Sequence, residues 1–323
     1  MLVPANMKVT SRRIPRIGVS IWSIESGTEG PRVAITANIH GDELSGLAVV
    51  HRLQKLLTEC LFRGVVELYP SLNPEGLANC NRLYPISGHD LNRYFPGEGN
   101  HKASKHCAAI WNQLCHFEPD LLLDLHTDSG DALPYVIMDR VLSRDSALEH
   151  RLCQLADVTG LEALWEYAQP DYSRYSLHKS LTGAVVNQLG IPALTLEVGP
   201  RRYIHQPSVI RMRDSVLRVL SYLGCVDVTA IPSFGSQDHQ KSLSAGDWRR
   251  ASGPLCHSDG YWNPRIPVGT RVIEGAIIGD VIDSAGAVCQ TITAPRGGLV
   301  LAYPAKSRLS SGQSCLTMAV PEV

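Results

Sequence analysis

The chain has 323 residues, 44% of them hydrophobic and 19% charged, with a formal net charge of −1. That length suits one large domain with a smaller companion, and the apolar share allows a sizeable core. The near-neutral balance, without a basic or acidic run, argues against a nucleic-acid or anionic-membrane partner. The opening MLVPANMKVTSRRIPRIG lacks the continuous apolar segment of a signal peptide, and no stretch is apolar for long enough to cross a bilayer. Nine scattered cysteines, an odd number without a CxxC spacing, read as the reduced thiols of a cytoplasmic protein.

In chain order, Arg32–Asn38 (RVAITAN) predicts a buried strand, Glu43–Cys60 a helix and Val65–Leu72 a second strand. The polar segment Asn73–Asn100, rich in Gly, Pro and Asn, reads as a long loop of the kind that often carries function. A helix over His101–His116 precedes a strand over Asp120–His126 and a short one at Tyr135–Met138. Helices follow at Asp145–Val158 and Leu177–Leu189, then a buried strand at Pro192–Val198 and a helix at Pro207–Leu223. Strands alternating with helices imply an α/β domain with a mixed, mostly parallel sheet flanked by helices. Over Cys225–Ser244 the texture changes to Pro, Gly and Ser. From about Trp248 short β-type runs (VIEGAIIGDVID, CQTITAP, GGLVLAYP, CLTMAV) predict a small all-β unit. The expected division is residues 1–230 and 231–323.

Three strand ends carry chemistry. In ITANIHGDELSG (Ile35–Gly46), His40 follows the first buried strand and Glu43 lies three residues on, where the next helix begins. Ligands in open α/β sheets collect at the carboxyl ends of strands, and an imidazole and a carboxylate converging there form half of a zinc site. Taken alone, the spacing is far more often a helix start, here with Asp42 as its cap and Glu43 favoured by the helix dipole. DLLLDLH ends on His126, a third ligand candidate. Asp124, two residues earlier, faces the same side of the strand and is placed to accept a hydrogen bond from a ligand imidazole. PALTLEVG ends on Glu197, a carboxylate too costly to bury at a core strand end without a partner, a metal or a cleft; Arg201 and Arg202 are alternative ion-pair partners for it. The three together make the signal.

These motifs, HGDE at His40–Glu43, DLNRYFPG at Asp90–Gly97, DLH at Asp124–His126 and LEVG at Leu196–Gly199, resemble the succinylglutamate desuccinylase/aspartoacylase family of the zinc carboxypeptidase clan. The resemblance implies a zinc carboxypeptidase-like fold and one Zn2+ per subunit held by His40, Glu43 and His126. It implies Glu197 as the catalytic carboxylate and Arg82 as the group polarising the substrate carbonyl. Asn92 and Arg93 match the pair that grips the carboxylate of the amino-acid part, a task suited to a guanidinium fork. Family aspartoacylases carry an arginine about ten residues before the catalytic glutamate, where TGAVVNQLGIPALTLE has Asn187 instead; this points away from N-acetylaspartate and succinylglutamate.

The C-terminal part resembles the barrel-sandwich domain of biotinyl and lipoyl carriers in its AP-x-x-G-x-V rhythm, but Lys306, its nearest lysine, is outside a carrier hairpin. A lid or a homo-oligomer contact is the expected role, with Tyr303 and Arg308 as candidates to reach the cleft. The implied activity is zinc-dependent hydrolysis of the amide of a small N-acyl amino acid or amine. Three protein ligands leave zinc a position for water, Glu197 moves its proton, and the partner is a small molecule. The alternatives are a zinc carboxypeptidase acting on short peptides and a catalytically inactive zinc-binding protein.

Overall fold

The structure is a computed structural model that describes residues 6–231, 234–235 and 243–322. The expected division at residue 230 abuts 232–233 and 236–242; that part of the linker, and the first five residues of the N-terminal segment, lie outside the described residues.

In chain order the first strands are β1 (Lys8–Arg13), β2 (Ser20–Glu25), β3 (Arg32–Ala37), β4 (Val65–Tyr69), β5 (Leu121–His126), β6 (Tyr135–Met138), β7 (Glu162–Trp165) and β8 (Ala193–Glu197). Among them run helices α1 (Leu44–Cys60), α2 (Pro74–Ala78), α3 (Lys102–Phe117), α4 (Ser146–Val158), α5 (Asp171–Arg174) and α6 (Leu181–Ala184), and α7 (Gln206–Tyr222) follows. The strands join in the order β1-β2-β4-β3-β5-β8-β6-β7. The ladders from β4 through β3 and β5 to β8, and between β6 and β7, are parallel; those of β1 with β2, β2 with β4, and β6 with β8 are antiparallel. Strands β3 and β5 are apolar along nearly their whole length because both faces are covered. Helices α1, α4 and α7 pack together against the sheet, and α6 packs against β5 and β8.

The C-terminal strands are β9 (Trp248–Ser252), β10 (Gly260–Pro264), β11 (Arg271–Val272), β12 (Ile277–Ile282), β13 (Val288–Thr293), β14 (Gly298–Ala302), β15 (Arg308–Leu309) and β16 (Thr317–Pro321). Strand β9 meets β7 in parallel at Trp165 and Arg249, so β9, β16, β14 and β11 prolong the main sheet. Strands β13-β12-β10-β15 form a second, antiparallel sheet. A separate apolar cluster, including Trp262, Ile278, Val281, Ile292, Val300 and Met318, is the core of this part.

The elements read from the sequence are present, with differences that have physical causes. Strand β1 is polar and largely exposed, so it carries no hydrophobic pattern to find; β7 has only four residues, of a helix-favouring composition. The long polar segment contains α2 and a tight turn at Leu91–Arg93. The expected helix over Leu177–Leu189 is broken at Ser180, whose extended backbone lets its hydroxyl accept from Gly183 N at 3.0 Å. Among the described residues, no helix is long and apolar enough to cross a membrane.

Gly41, inside HGDE, is pressed against the backbone of α2. A Cβ there would stand 2.0 Å from the carbonyl carbon of Gly76, so no side-chain motion relieves the clash. Asn73 fixes α2 in place: its Oδ1 accepts from Gly76 N at 2.9 Å and its Nδ2 donates to Ile39 O at 3.2 Å. Gly41→Ala therefore costs about 1–3 kcal/mol of stability by overpacking, measured by denaturant unfolding; a variant as stable as the parent would show that the loop and α2 are not in this contact.

Candidate active site

The parallel ladders bring the carboxyl ends of β3, β5 and β8 to one edge of the sheet. His126 and Glu197, the last residues of β5 and β8, are register partners. After β3, Asn38 takes a left-handed backbone (φ 56°), which asparagine tolerates better than most residues. Its Nδ2 donates to the carbonyls of His40 and Glu43 at 3.0 and 2.9 Å, and its Oδ1 accepts from Ser71 at 2.7 Å. One side chain thus shapes the HGDE turn from within. Glu43 stands at the N-cap position of α1 and makes no capping bond. The alternative in which Asp42 caps this helix is not what forms: Asp42 Oδ1 is buried without a partner, and its Oδ2 lies 4.0 Å from Arg202.

His40, Glu43 and His126 are buried together, with ligand-capable atoms all within 4.8 Å of one another. Glu43 Oε1 lies 2.8 Å from His40 Nδ1, and its Oε2 lies 3.0 Å from His126 Nδ1 and accepts from Thr127 N at 3.0 Å. Each imidazole turns its other nitrogen to a carboxylate: His126 Nε2 to Asp124 at 2.8 Å and His40 Nε2 to Asp90 at 3.1 Å. Asp124 is itself held by Thr36 Oγ1 at 2.7 Å. Burial alone would raise the Glu43 carboxyl, but the two imidazoles outweigh it and hold it well below the usual range. Burial alone would lower His126, but Asp124 and Glu43 outweigh it and raise the imidazole well above its ordinary value.

Glu197 differs. Its Oε2 is buried without a hydrogen-bond partner, and neither Arg201 nor Arg202 takes it: Arg201 Nε lies 3.5 Å from Glu43 Oε1 instead. Burial is the main cause that pushes the Glu197 carboxyl up to about 7, with Asp128 and Glu43 adding to the shift and His126 and Arg250 opposing it. Arg82 spans Glu43 Oε1 and Asp90 Oδ2, each at 3.2 Å. Asn92 spends its Oδ1 on Leu181 N at 2.7 Å, while Arg93 Nη1 donates to Asn92 O at 2.6 Å. Glu197, Arg201, Arg82, Asn92 and Arg93 line one cleft with His40 and His126. Asn187 stays outside it, bonding Leu142 N, Arg140 O and Gly183 O.

Several functional candidates escaped sequence reasoning. Asp90 accepts from Asn92 N at 3.0 Å, closing the turn that presents Asn92 and Arg93, while also meeting His40. It opens the DLNR motif, and that position was the available signal. Asp128, Asp139, Glu166 and Arg250 also line the cleft, and nothing local in the sequence marks them; Arg201, read from the sequence as an alternative partner of Glu197, lines it too. Arg250, on β9, is the C-terminal residue that reaches the cleft. Tyr303 instead donates to Ile266 O and packs near Trp262, and Arg308 is exposed on β15; neither lines the cleft, because both belong to the second apolar layer and its sheet.

The donor set fits a divalent ion. Two inward Nδ1 atoms and a carboxylate converge, and each outer Nε2 has a carboxylate acceptor, the arrangement that fixes tautomer and ring orientation in metal-ligating histidines. The chain matches the family model of the succinylglutamate desuccinylase/aspartoacylase catalytic domain over residues 29–223. It is 29% identical over 126 residues to the N-alpha-acetyl-L-2,4-diaminobutyric acid deacetylase of Halomonas elongata. That alignment spans 38% of this chain and 37% of that protein, so it covers well under half of the curated relative. A succinylglutamate desuccinylase/aspartoacylase from Rhodobacter sphaeroides has a similar fold, with a TM-score of 0.78 at 21% identity over 98% of this chain and 95% of that one. The product-bound ectoine utilization protein EutE (DoeB) from Ruegeria pomeroyi gives a TM-score of 0.78 at 19% identity over 99% and 100%.

Loss of either outer carboxylate frees its imidazole to rotate. Asp124→Ala and Asp90→Ala should each weaken metal affinity about tenfold or more, read by competition with a chelator. Affinities equal to that of the parent protein would mean the two carboxylates do not orient the ligands.

Proposed function

Because the chain belongs to the succinylglutamate desuccinylase/aspartoacylase family, we propose that it is a metal-dependent deacylase hydrolysing the amide bond of a small N-acyl amino acid. The observation that carries this reading is the unpaired Glu197 Oε2 in the same cleft as the His40–Glu43–His126 group. The relative's name, a deacetylase of an N-acetylated amino acid, supports a short acyl group. All nine cysteines are free thiols, which suits the cytoplasm.

His40, Glu43 and His126 would hold the ion, and two neutral imidazoles with one carboxylate favour zinc. When bound, zinc supplies Lewis acidity toward the attacking water and the carbonyl oxygen. The remaining steps belong to the protein. Glu197, held near neutrality by burial, takes a proton from the water as its oxygen bonds to the carbonyl carbon. As the C–N bond breaks, the same carboxyl returns that proton to the departing amine. Arg82 reaches the carbonyl oxygen from its station on Glu43 and Asp90 and stabilises the charge that develops there. Arg93 binds the α-carboxylate, and Asn92, whose Oδ1 is committed to Leu181 N, offers its Nδ2. Together they set the amide at attacking distance. The products are a free amino acid and a carboxylic acid.

A panel of N-acyl amino acids and short peptides, assayed with the zinc-loaded protein, tests the activity; turnover of peptides alone would make it a carboxypeptidase. Glu197→Gln should keep its zinc by elemental analysis while losing nearly all turnover, and zinc loss in that variant would reassign Glu197 as a ligand. Arg93→Lys should raise KM more than it lowers kcat, because the fork binds ground and transition states alike. An unchanged KM would remove the carboxylate-binding role.

A further inference from the structure

Beyond the reacting groups, the cleft contains a second charged cluster. Asp139 follows β6 and Glu166 follows β7. These strands run parallel with Met138 opposite Trp165, and Glu166 N donates to Met138 O at 2.8 Å. The register therefore sets two carboxylates side by side, 3% and 5% exposed, where like charges repel. Glu166 has a counter-ion, Arg250 Nη1 at 3.3 Å, and accepts from its neighbour Tyr167 N at 2.9 Å. Asp139 accepts from the hydroxyls of Tyr172, at 2.8 Å, and Thr182; among the described residues it has no ion-pair partner. Burial, then Glu166, pushes its carboxyl up to about 7. Two acids with one guanidinium leave the cluster one positive charge short. Arg93, whose field reaches Asp139, is the group assigned to the substrate's α-carboxylate.

We propose that Asp139, beside the Glu166–Arg250 pair, is the specificity residue for the amino-acid side chain and selects substrates whose side chain ends in an ammonium group. The inference rests on the deacylase reading and deepens it. An ammonium is a donor-only cation that gives Asp139 the charged hydrogen bond it lacks and removes the repulsion from Glu166. A carboxylate side chain would bring a third negative group against two buried acids, a contact that rejects it. A neutral side chain would leave the cluster as it is. Arg250 gives the C-terminal part a share in selectivity: by neutralising Glu166 it leaves a single acid to be satisfied.

The test is a matched series of Nα-acetylornithine, Nα-acetylglutamine and Nα-acetylglutamate with the zinc-loaded protein. Calorimetric binding of free ornithine, glutamine and glutamate gives a readout independent of turnover. The ornithine compound should have the highest kcat/KM, by about tenfold or more over the glutamine compound, and the glutamate compound the lowest. Asp139→Asn keeps an acceptor for Tyr172; it should lower kcat/KM for the ornithine compound at least about tenfold more than for the glutamine compound. Equal or better turnover of the neutral or anionic compound, or an equal loss for both in the variant, overturns the subsite while leaving the deacylase. Ornithine binding that depends on Asp139 without hydrolysis of any amide keeps the subsite and overturns the deacylase. Neither binding nor hydrolysis overturns both.

Discussion

The carboxylate of Glu43 is buried to 2% exposure and is met by two imidazoles, two guanidinia and one backbone amide. A charge so deep is tolerated only with compensation on every side, and the surroundings are arranged to provide it. His40 comes from the turn after β3, His126 from the end of β5, Arg82 from the segment after α2, and Arg201 from the turn after β8. Each is in turn anchored elsewhere: His126 to Asp124, Asp124 to Thr36, His40 to Asp90 and Asp90 to the Asn92 turn. The group reads as one network with Glu43 at its centre. A metal ion suits that centre because it takes the place of the protons the imidazoles would otherwise carry.

The same cleft separates its carboxylates by environment. Glu43 is lowered by the imidazoles, Glu197 is raised by burial, and Asp139 is raised by burial and a neighbouring acid. Divergent proton affinities among like groups commonly mark a division of labour in a site. In the proposed reaction one acid would be a ligand, one a proton carrier and one a reader of the substrate. Arg82, Arg93, Arg201 and Arg250 are interleaved among them, so a strongly polar cleft is formed by a chain of almost no net charge.

How much of this could be read beforehand depended on whether the signal was local. His40, Glu43, His126 and Glu197 stood out because each follows an apolar run that periodicity alone marks as a buried strand, where a polar residue needs a reason. Asp124 was legible from the period of two along a strand. Asp90 lay in view, within DLNR, but its contact with His40 depends on a turn closed by its own side chain. Strand β7 was missed because four residues carry too little pattern. Without β7, the neighbour relation between Asp139 and Glu166 could not be seen.

The sequence by itself determined the alternation of strands and helices, the β-rich C-terminal part, and the strand ends at which the candidate ligands and the candidate proton carrier stand. These follow from apolar periodicity and from the cost of burying polar groups, both of which act along the chain. Tertiary structure alone decided which side chains face one another: the outer carboxylates on the histidines, the isolation of Glu197 from Arg201, the entry of Arg250 from β9 and the adjacency of Asp139 and Glu166. Those contacts join residues far apart in the chain, as Arg201 meets Glu43 and Arg250 meets Glu166; strand order and register fix them, and neither is written in any single stretch of the chain.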